Sequence, residues 1–261
     1  MSFELSTLEL EGYRDDGFFV REAVFRAEEL ELLREAADNV AAIAQRLSED
    51  GNTYHLDGKR FVDAGHITIQ YEHAPDSVAV RVVEPVHDLD SLFDALVDDP
   101  RIVRPMCGLI GQQRVALWTA KLNLKVAGNG SGFGWHQDSP YWVHDCAHVD
   151  LLPNVMLAID DASEANGCLR IVRGSHHQGC LPGTSDGTQL GGFFTSPDHF
   201  DESQQVALEV SAGSLIFFSP HAVHGSQANQ SARPRRAIVF TYQPGDQPML
   251  KNGRVRNALG H

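Results

Sequence analysis

The chain has 261 residues, 42% of them hydrophobic and 21% charged, with a formal net charge of −14. That composition can bury a core and excludes a wholly disordered chain, while the acidic balance argues against the basic face that nucleic-acid binding requires. No run approaches ~18 apolar residues, so no transmembrane helix is expected.

The opening MSFELSTLEL has no basic segment followed by an apolar one, so no secretory signal is read there. Residues 6–17, STLELEGYRDDG, predict a short helix with Ser6 or Thr7 as N-cap and Gly17 closing it. FFVREAVF (18–25) reads as a strand. Residues 26–51 predict an amphipathic helix: Leu30, Leu33, Ala37, Val40, Ala44 and Leu47 recur at helical spacing, and Gly51 ends it. Residues 88–111 predict two short helices broken before Pro100. The first third is therefore expected to be mostly helical.

From residue 115 the pattern becomes short strands: VALWTAKLNLKV, NVMLAID, CLRIVRG, QVALEV, SLIFFSP and RAIVFTYQ, separated by Gly, Pro, Asn and Ser. Short strands divided by turns predict a sandwich or jelly roll. The expected organisation is a single domain over 1–261, with a helical part of about 1–112 packed on a β core of about 113–245. Cys107, Cys146, Cys168 and Cys180 form no CxxC pair, which predicts reduced thiols and a cytoplasmic location.

The chemistry concentrates in two segments. GWHQDSPYW (134–142) carries His136 and Asp138 two apart. SLIFFSPHAVHGSQANQSARPRRAIVFTY (214–242) carries His221 and His224, then Arg233, Arg235 and Arg236. An early His-x-Asp and a distant His have the form of a two-His-one-carboxylate facial triad, which leaves positions open on Fe(II). A co-substrate with a distal carboxylate also needs a cation, and the planar fork of Arg fits one. Arg235 lies eleven residues after His224, on a strand that can return it to the loop. Alternate strand residues face opposite ways, so Arg236 should point away from Arg235, and Arg233, before Pro234, belongs to the loop.

The chain resembles the phytanoyl-CoA dioxygenase family of Fe(II)- and 2-oxoglutarate-dependent oxygenases. The resemblance runs from about Lys121 to Tyr242 and rests on KLNLKVAGNGSGFGWHQDSPYW, ASEANGCLRIVRGSHH, AGSLIFFSPHAVHGSQAN and RPRRAIVF. It implies a mainly β fold with supporting helices, a double-stranded β-helix (a cupin-like jelly roll). It implies His136, Asp138 and His224 as ligands of Fe(II), with 2-oxoglutarate as co-substrate and O2 as oxidant. Arg235 would pair with the distal carboxylate of 2-oxoglutarate and Ser226 would help hold it. Ectoine hydroxylases of the same family are similar at NLK and GFGWH, which implies Asn123 and Phe133 as walls of the 2-oxoglutarate pocket. Related halogenases lack the triad carboxylate, so Asp138 implies hydroxylation. The chain departs from many relatives at Met156, where they carry Trp, and the loop VHDCAHVDLLP departs from the ectoine hydroxylase pattern.

Other candidates read differently. His221 can cap the loop after Pro220. His144 and His148 are expected as surface or lid residues, and His176 and His177 as hydrogen-bonding groups near a strand end. Trp142, just past the ligand loop, is a candidate substrate wall. The expected function is hydroxylation of a small organic molecule with release of succinate and CO2. The alternatives are a cupin-like metalloenzyme that does not use 2-oxoglutarate, and a non-catalytic iron or 2-oxoglutarate sensor. Substrate specificity is expected in loops at 52–82, 141–153 and 180–205.

Overall fold

The computed structural model describes residues 3–74, 76–128 and 130–259. Helix α1 (Thr7–Asp16) starts at a Ser6–Glu9 capping box and stops at Gly17, whose φ of 88° is open to glycine at little cost. Strand β1 (Phe18–Arg21) follows, then α2 (Ala27–Leu47), which ends before the expected Gly51. The predicted stripe is its buried face: Leu30, Leu33, Ala37, Val40 and Ala44 are all below a tenth exposed.

The segment expected as helical context and loop is instead a β-meander. Strands β2 (Asn52–Leu56), β3 (Lys59–Ala64), β4 (Ile67–Tyr71) and β5 (Val80–Glu84) pair antiparallel in sequence order. The physical cause is local. Asp57 (φ 49°) and Gly58 (φ 74°) make a tight turn with both central residues left-handed, the conformation that matches strand twist. ITIQY and VRVVE then supply β-branched residues. The helical part of about 1–112 is thus interrupted at 52–84. Helices α3 (Ser91–Leu96) and α4 (Pro100–Ile110) occupy the expected positions, with Asp90 and Asp99 as N-caps and Pro100 in the first turn of α4.

The remaining elements are β6 (Val115–Lys125), β7 (Phe133–His136), α5 (Ser139–Trp142), β8 (Asn154–Ala158), β9 (Leu169–Val172), β10 (Gln205–Leu208), β11 (Leu215–Phe218), β12 (His224–Ser226) and β13 (Arg235–Pro244). They form two antiparallel sheets. The larger has the order β1-β11-β8-β13-β6-β5-β4-β3-β2, and the smaller β10-β9-β12-β7.

Strand alternation gives the large sheet two unlike faces. Leu122, Leu157, Phe217, Ile238 and Phe240 point to one side and form a core with Leu33 and Val40 of α2, Phe93 of α3 and Met106 of α4. Met156, Ile216, Phe218 and Ala237 point to the other and pack on Leu169, Ile171 and Leu208 of the small sheet. The fold is therefore mainly β, with helices backing the major sheet and the minor sheet covering its opposite face. A cavity of about 520 Å³ opens between the sheets beside this second core.

Candidate active site

Strands β12 and β7 run antiparallel with His224 opposite His136. That register sets the two imidazole centroids 4.2 Å apart. Each ring turns Nδ1 to a carbonyl two residues back: His136 to Gly134 at 2.8 Å and His224 to Ala222 at 2.9 Å. With Nδ1 assigned as the donor, each Nε2 keeps its lone pair for a ligand. Asp138 stands at the start of α5. Its Oδ2 is 3.8 Å from His224 Nε2 and accepts a 2.9 Å hydrogen bond from Asn154 Nδ2. One ligand atom from each of the three residues lies within 4.8 Å of the other two. Separations of this order suit donors that share one ion at ~2.0–2.2 Å each.

Protonation matches that use. Burial, followed by the neighbouring His224, pushes His136 down to about 3, so it is a neutral imidazole at physiological pH. Burial raises the Asp138 carboxyl, but His224, Lys121, His136 and the Asn154 bond outweigh it and hold it below its ordinary value. Two imidazoles and one carboxylate are a donor set for a redox-active divalent metal.

The same cavity reaches Asn123, Phe133, Ser226 and Arg235. Arg235 is 4% exposed, yet its Nε and Nη1 have no partner among the described residues. A buried guanidinium left this way costs several kcal/mol, so its donors fit an anion at that end of the cavity. Arg236 takes the opposite face, as the alternation requires, and bonds Asp160 and Asp38.

One residue that the motif reading passed over links these groups. Lys125, 1% exposed, donates to Ser226 Oγ at 2.8 Å, to the Gly167 carbonyl at 3.2 Å and to the Gln227 carbonyl. Burial, then Arg235 and Arg81, push it down to about 6. Three acceptors around Nζ nevertheless match the three N–H bonds of an ammonium. Because Ser226 Oγ accepts from Lys125, its own proton is free to point into the cavity. A signal existed in the sequence: Lys121, Asn123 and Lys125 alternate along KLNLK and so share one face of a buried strand.

The other candidates separate cleanly. His221 Nε2 bonds Asp150 at 2.8 Å. His176 and His177 bond the carbonyls of Arg14 and Asp15, in keeping with their expected role near a strand end. His148 bonds Gln243 rather than lying free on a lid. Trp142 is 2% exposed and packs with Trp118 and Leu152, away from the cavity, so it is a core residue and not a substrate wall. Tyr141 lines the cavity in its place, stacked on Phe193 with centroids 4.5 Å apart. Of the expected specificity loops, 52–82 is mostly strand, yet Tyr54, Lys59 and Phe61 from it line the cavity. Leu190, Phe193 and Phe194 do so from 180–205.

Comparison with known proteins agrees with this architecture. A family model described as phytanoyl-CoA dioxygenase matches residues 13–237. L-proline trans-4-hydroxylase from Streptomyces griseoviridis is 28% identical, over 64% of this chain and 68% of that protein. Ectoine dioxygenase from Bordetella parapertussis is 27% identical, over 91% of this chain and 75% of its own. The crystal structure of EctD from S. alaskensis with 2-oxoglutarate and 5-hydroxyectoine superposes with a TM-score of 0.68 at 22% identity, covering 98% of this chain and 80% of that one.

Proposed function

The chain belongs to the phytanoyl-CoA dioxygenase family, and on that premise we propose that it is an Fe(II)- and 2-oxoglutarate-dependent dioxygenase that hydroxylates a C–H bond of a small organic molecule, releasing succinate and CO2. The observation that carries this reading is a pair of features in one cavity. Three metal-ligand side chains converge there, and a buried arginine has two guanidinium nitrogens with no partner among the described residues.

Each residue has a task in that scheme. His136, Asp138 and His224 hold the metal on one face. Their orientation is fixed beforehand by the carbonyls of Gly134 and Ala222 and by the Asn154 amide, which lowers the reorganisation needed on binding. Arg235 receives the distal carboxylate of 2-oxoglutarate, and the Ser226 hydroxyl, held from behind by Lys125, donates to it. Asn123 and Phe133 flank the co-substrate. Tyr141 and Phe193 cover the mouth and exclude water. When bound, iron and 2-oxoglutarate supply the O2-dependent oxidation that side chains alone cannot perform. The unpartnered arginine also disfavours a metalloenzyme without an acidic co-substrate, because such a site would leave that charge buried and unpaired. We further read residues 3–259 as one domain and the protein as cytoplasmic, acting on a small molecule and not on nucleic acid.

The test is anaerobic titration of the protein with Fe(II) and 2-oxoglutarate. A visible metal-to-ligand charge-transfer absorbance is expected, followed in air by succinate release with the right member of a metabolite panel. Iron binding with no effect of 2-oxoglutarate would favour the cupin-like alternative. An absorbance without succinate release across the panel would favour a sensor.

A further inference from the structure

The cavity is charged against the sign of the protein around it. Lys59, Arg81, Lys121, Arg235 and Lys251 line it, in a chain of net charge −14. The opposing carboxylates on its wall are Glu84 and Asp138. Glu84 accepts from Thr119 at 2.6 Å and faces Lys121. A divalent metal and a dianionic co-substrate cancel one another, so the surplus of positive charge survives loading of the site. Desolvated cations without counter-ions are costly, and the surplus calls for a further anion.

Its location can be narrowed. Arg81 is 5% exposed and sits at an irregularity in β5, where Gln70 faces Val82 and Tyr71 faces Val80. The extra residue opposite that step is Arg81, and bulges of this kind re-aim side chains. Its guanidinium lies over the Phe133 ring at 3.7 Å and donates through Nη2 to the Gly132 carbonyl at 2.7 Å. Its Nε has no partner among the described residues. Glu72, the acid whose charge favours Arg81, accepts instead from the Ser131 amide at 2.9 Å and makes no direct ion pair with it among the described residues. Lys59, on the same wall, lies over the Phe194 ring at 5.4 Å with no acid partner among the described residues. His73 stands at the mouth between these influences: desolvation, then Arg81 and Lys59, push it down to about 4. Desolvation leads, and the two cations add to it, as a positive corner would.

Resting on the hydroxylase reading, we propose that the primary substrate is an organic oxyanion, a carboxylate or a phosphonate, whose acid group docks between Lys59 and Arg81 while its carbon skeleton lies under Tyr141 and Phe193. The bidentate fork of Arg81 would orient the acid, and Lys59 would supply a second charge at the rim. The aromatic stack above would take the apolar part. This arrangement sends the acid to the β5 side and leaves the carbon skeleton toward the triad.

The test uses acid–neutral pairs: phenylacetate against phenylacetamide, hexanoate against hexanamide, and benzylphosphonate against its dimethyl ester. Calorimetry is run under nitrogen with Fe(II) and saturating 2-oxoglutarate, which keeps the acids out of the Arg235 end. At least one acid should bind about tenfold or more tighter than its neutral partner, and the preferred arm separates carboxylate from phosphonate. Lys59→Gln and Arg81→Gln should each reduce that preference while the iron–2-oxoglutarate absorbance titrates as in the wild type. If no acid is preferred, or the preference survives both substitutions, the proposal falls. It also falls if Arg81→Gln loses 2-oxoglutarate and keeps the acid preference. Lys59→Gln, at the half-buried rim, carries the test should Arg81→Gln not fold. Failure of the hydroxylase reading appears separately, as a wild-type protein that never develops the absorbance.

Discussion

At the inner end of the cavity the polar groups sit on strands paired on both sides: Lys125 and Asn123 on β6, His224 and Ser226 on β12, Arg235 on β13. At the mouth, Lys59 begins a strand at a hairpin turn, Tyr141 belongs to a four-residue helix, and Phe193 to a short 3-10 turn in a long loop. Lys125 and Arg235 are 1% and 4% exposed, whereas Tyr141 and Phe193 are 39% and 38%. Geometry that must be held to fractions of an ångström is placed on these interior strands, where Asn123 and His224 have a strand partner on each side and Lys125, Ser226 and Arg235 on one. Geometry that selects the substrate is placed where a change costs the fold little.

The sharpest way to break this contrast is at the triad. His136→Ala and His224→Ala should each abolish turnover and weaken Fe(II) binding, because a facial triad has no spare ligand. His221→Ala, three residues away but turned to Asp150, should keep its iron. Asp138→Ala should end hydroxylation as well. Iron stoichiometry and succinate release measure all four. An active His224→Ala alongside an inactive His221→Ala would reverse the ligand assignment.

Arg235 and Arg236 sharpen the comparison within a single strand. On the proposed pairing, removing Arg235 would leave the co-substrate carboxylate buried and unpaired, which typically costs about 3–5 kcal/mol, roughly two to four powers of ten in affinity. Arg235→Ala should raise the KM for 2-oxoglutarate accordingly, and Arg235→Lys should recover part of it. Arg236→Ala should leave 2-oxoglutarate binding unchanged and lower the melting temperature instead. Its guanidinium ties β13 to Asp160 and to Asp38 of α2, and half-buried Asp160 would keep Arg34 but lose both of its bonds from this guanidinium. Loss of 2-oxoglutarate binding in Arg236→Ala would sink the register that puts Arg235 in the cavity.

How far this contrast was legible in the sequence follows from the range of the forces involved. His136, Asp138, His224 and Arg235 sit in short motifs, and simple strand alternation separates Arg235 from Arg236. Trp142 was misjudged because adjacency to a ligand in sequence says nothing of which way a helical side chain turns; it turns inward, to Trp118. The β2–β5 meander was passed over although Asp57-Gly58 between strand-like runs is a strong hairpin signal. Arg81 is a different case. Its aim depends on a bulge, and a bulge is defined only by the partner strand, so local pattern could not disclose it.

A smaller effect is expected at Ser226. Its hydroxyl accepts from Lys125 and offers one proton to the cavity. On the proposed binding mode, Ser226→Ala would remove one hydrogen bond to the co-substrate carboxylate, worth about 1.5–3 kcal/mol for a charged acceptor, so 2-oxoglutarate affinity should fall roughly tenfold to a hundredfold. Lys125→Met should do the same indirectly. It should also destabilise the fold, because the Gly167 and Gln227 carbonyls lose their donor. Thermal melting without ligand separates the two variants: Ser226→Ala should melt close to the wild type, and Lys125→Met clearly below it. Equal melting would mean that Lys125 does not bridge these carbonyls in solution.

The smallest effect is expected at the mouth. Asp57, in the β2–β3 turn, accepts the backbone N–H groups of Gln189 and Leu190 at 2.9 and 2.7 Å. This exposed contact fastens the hairpin to the loop that carries Phe193, so it sets how readily the mouth opens and leaves the inner end untouched. Asp57→Ala should speed hydrogen exchange at Gln189 and Leu190, which lose their acceptor to water. The KM for 2-oxoglutarate and the iron affinity should stay at wild-type values, and the KM for the primary substrate should move by no more than about tenfold. Asp57→Asn keeps one acceptor oxygen and should fall between. A large change in 2-oxoglutarate affinity on releasing this clasp would mean that the mouth and the inner end are mechanically coupled, and the division of labour between them would not hold.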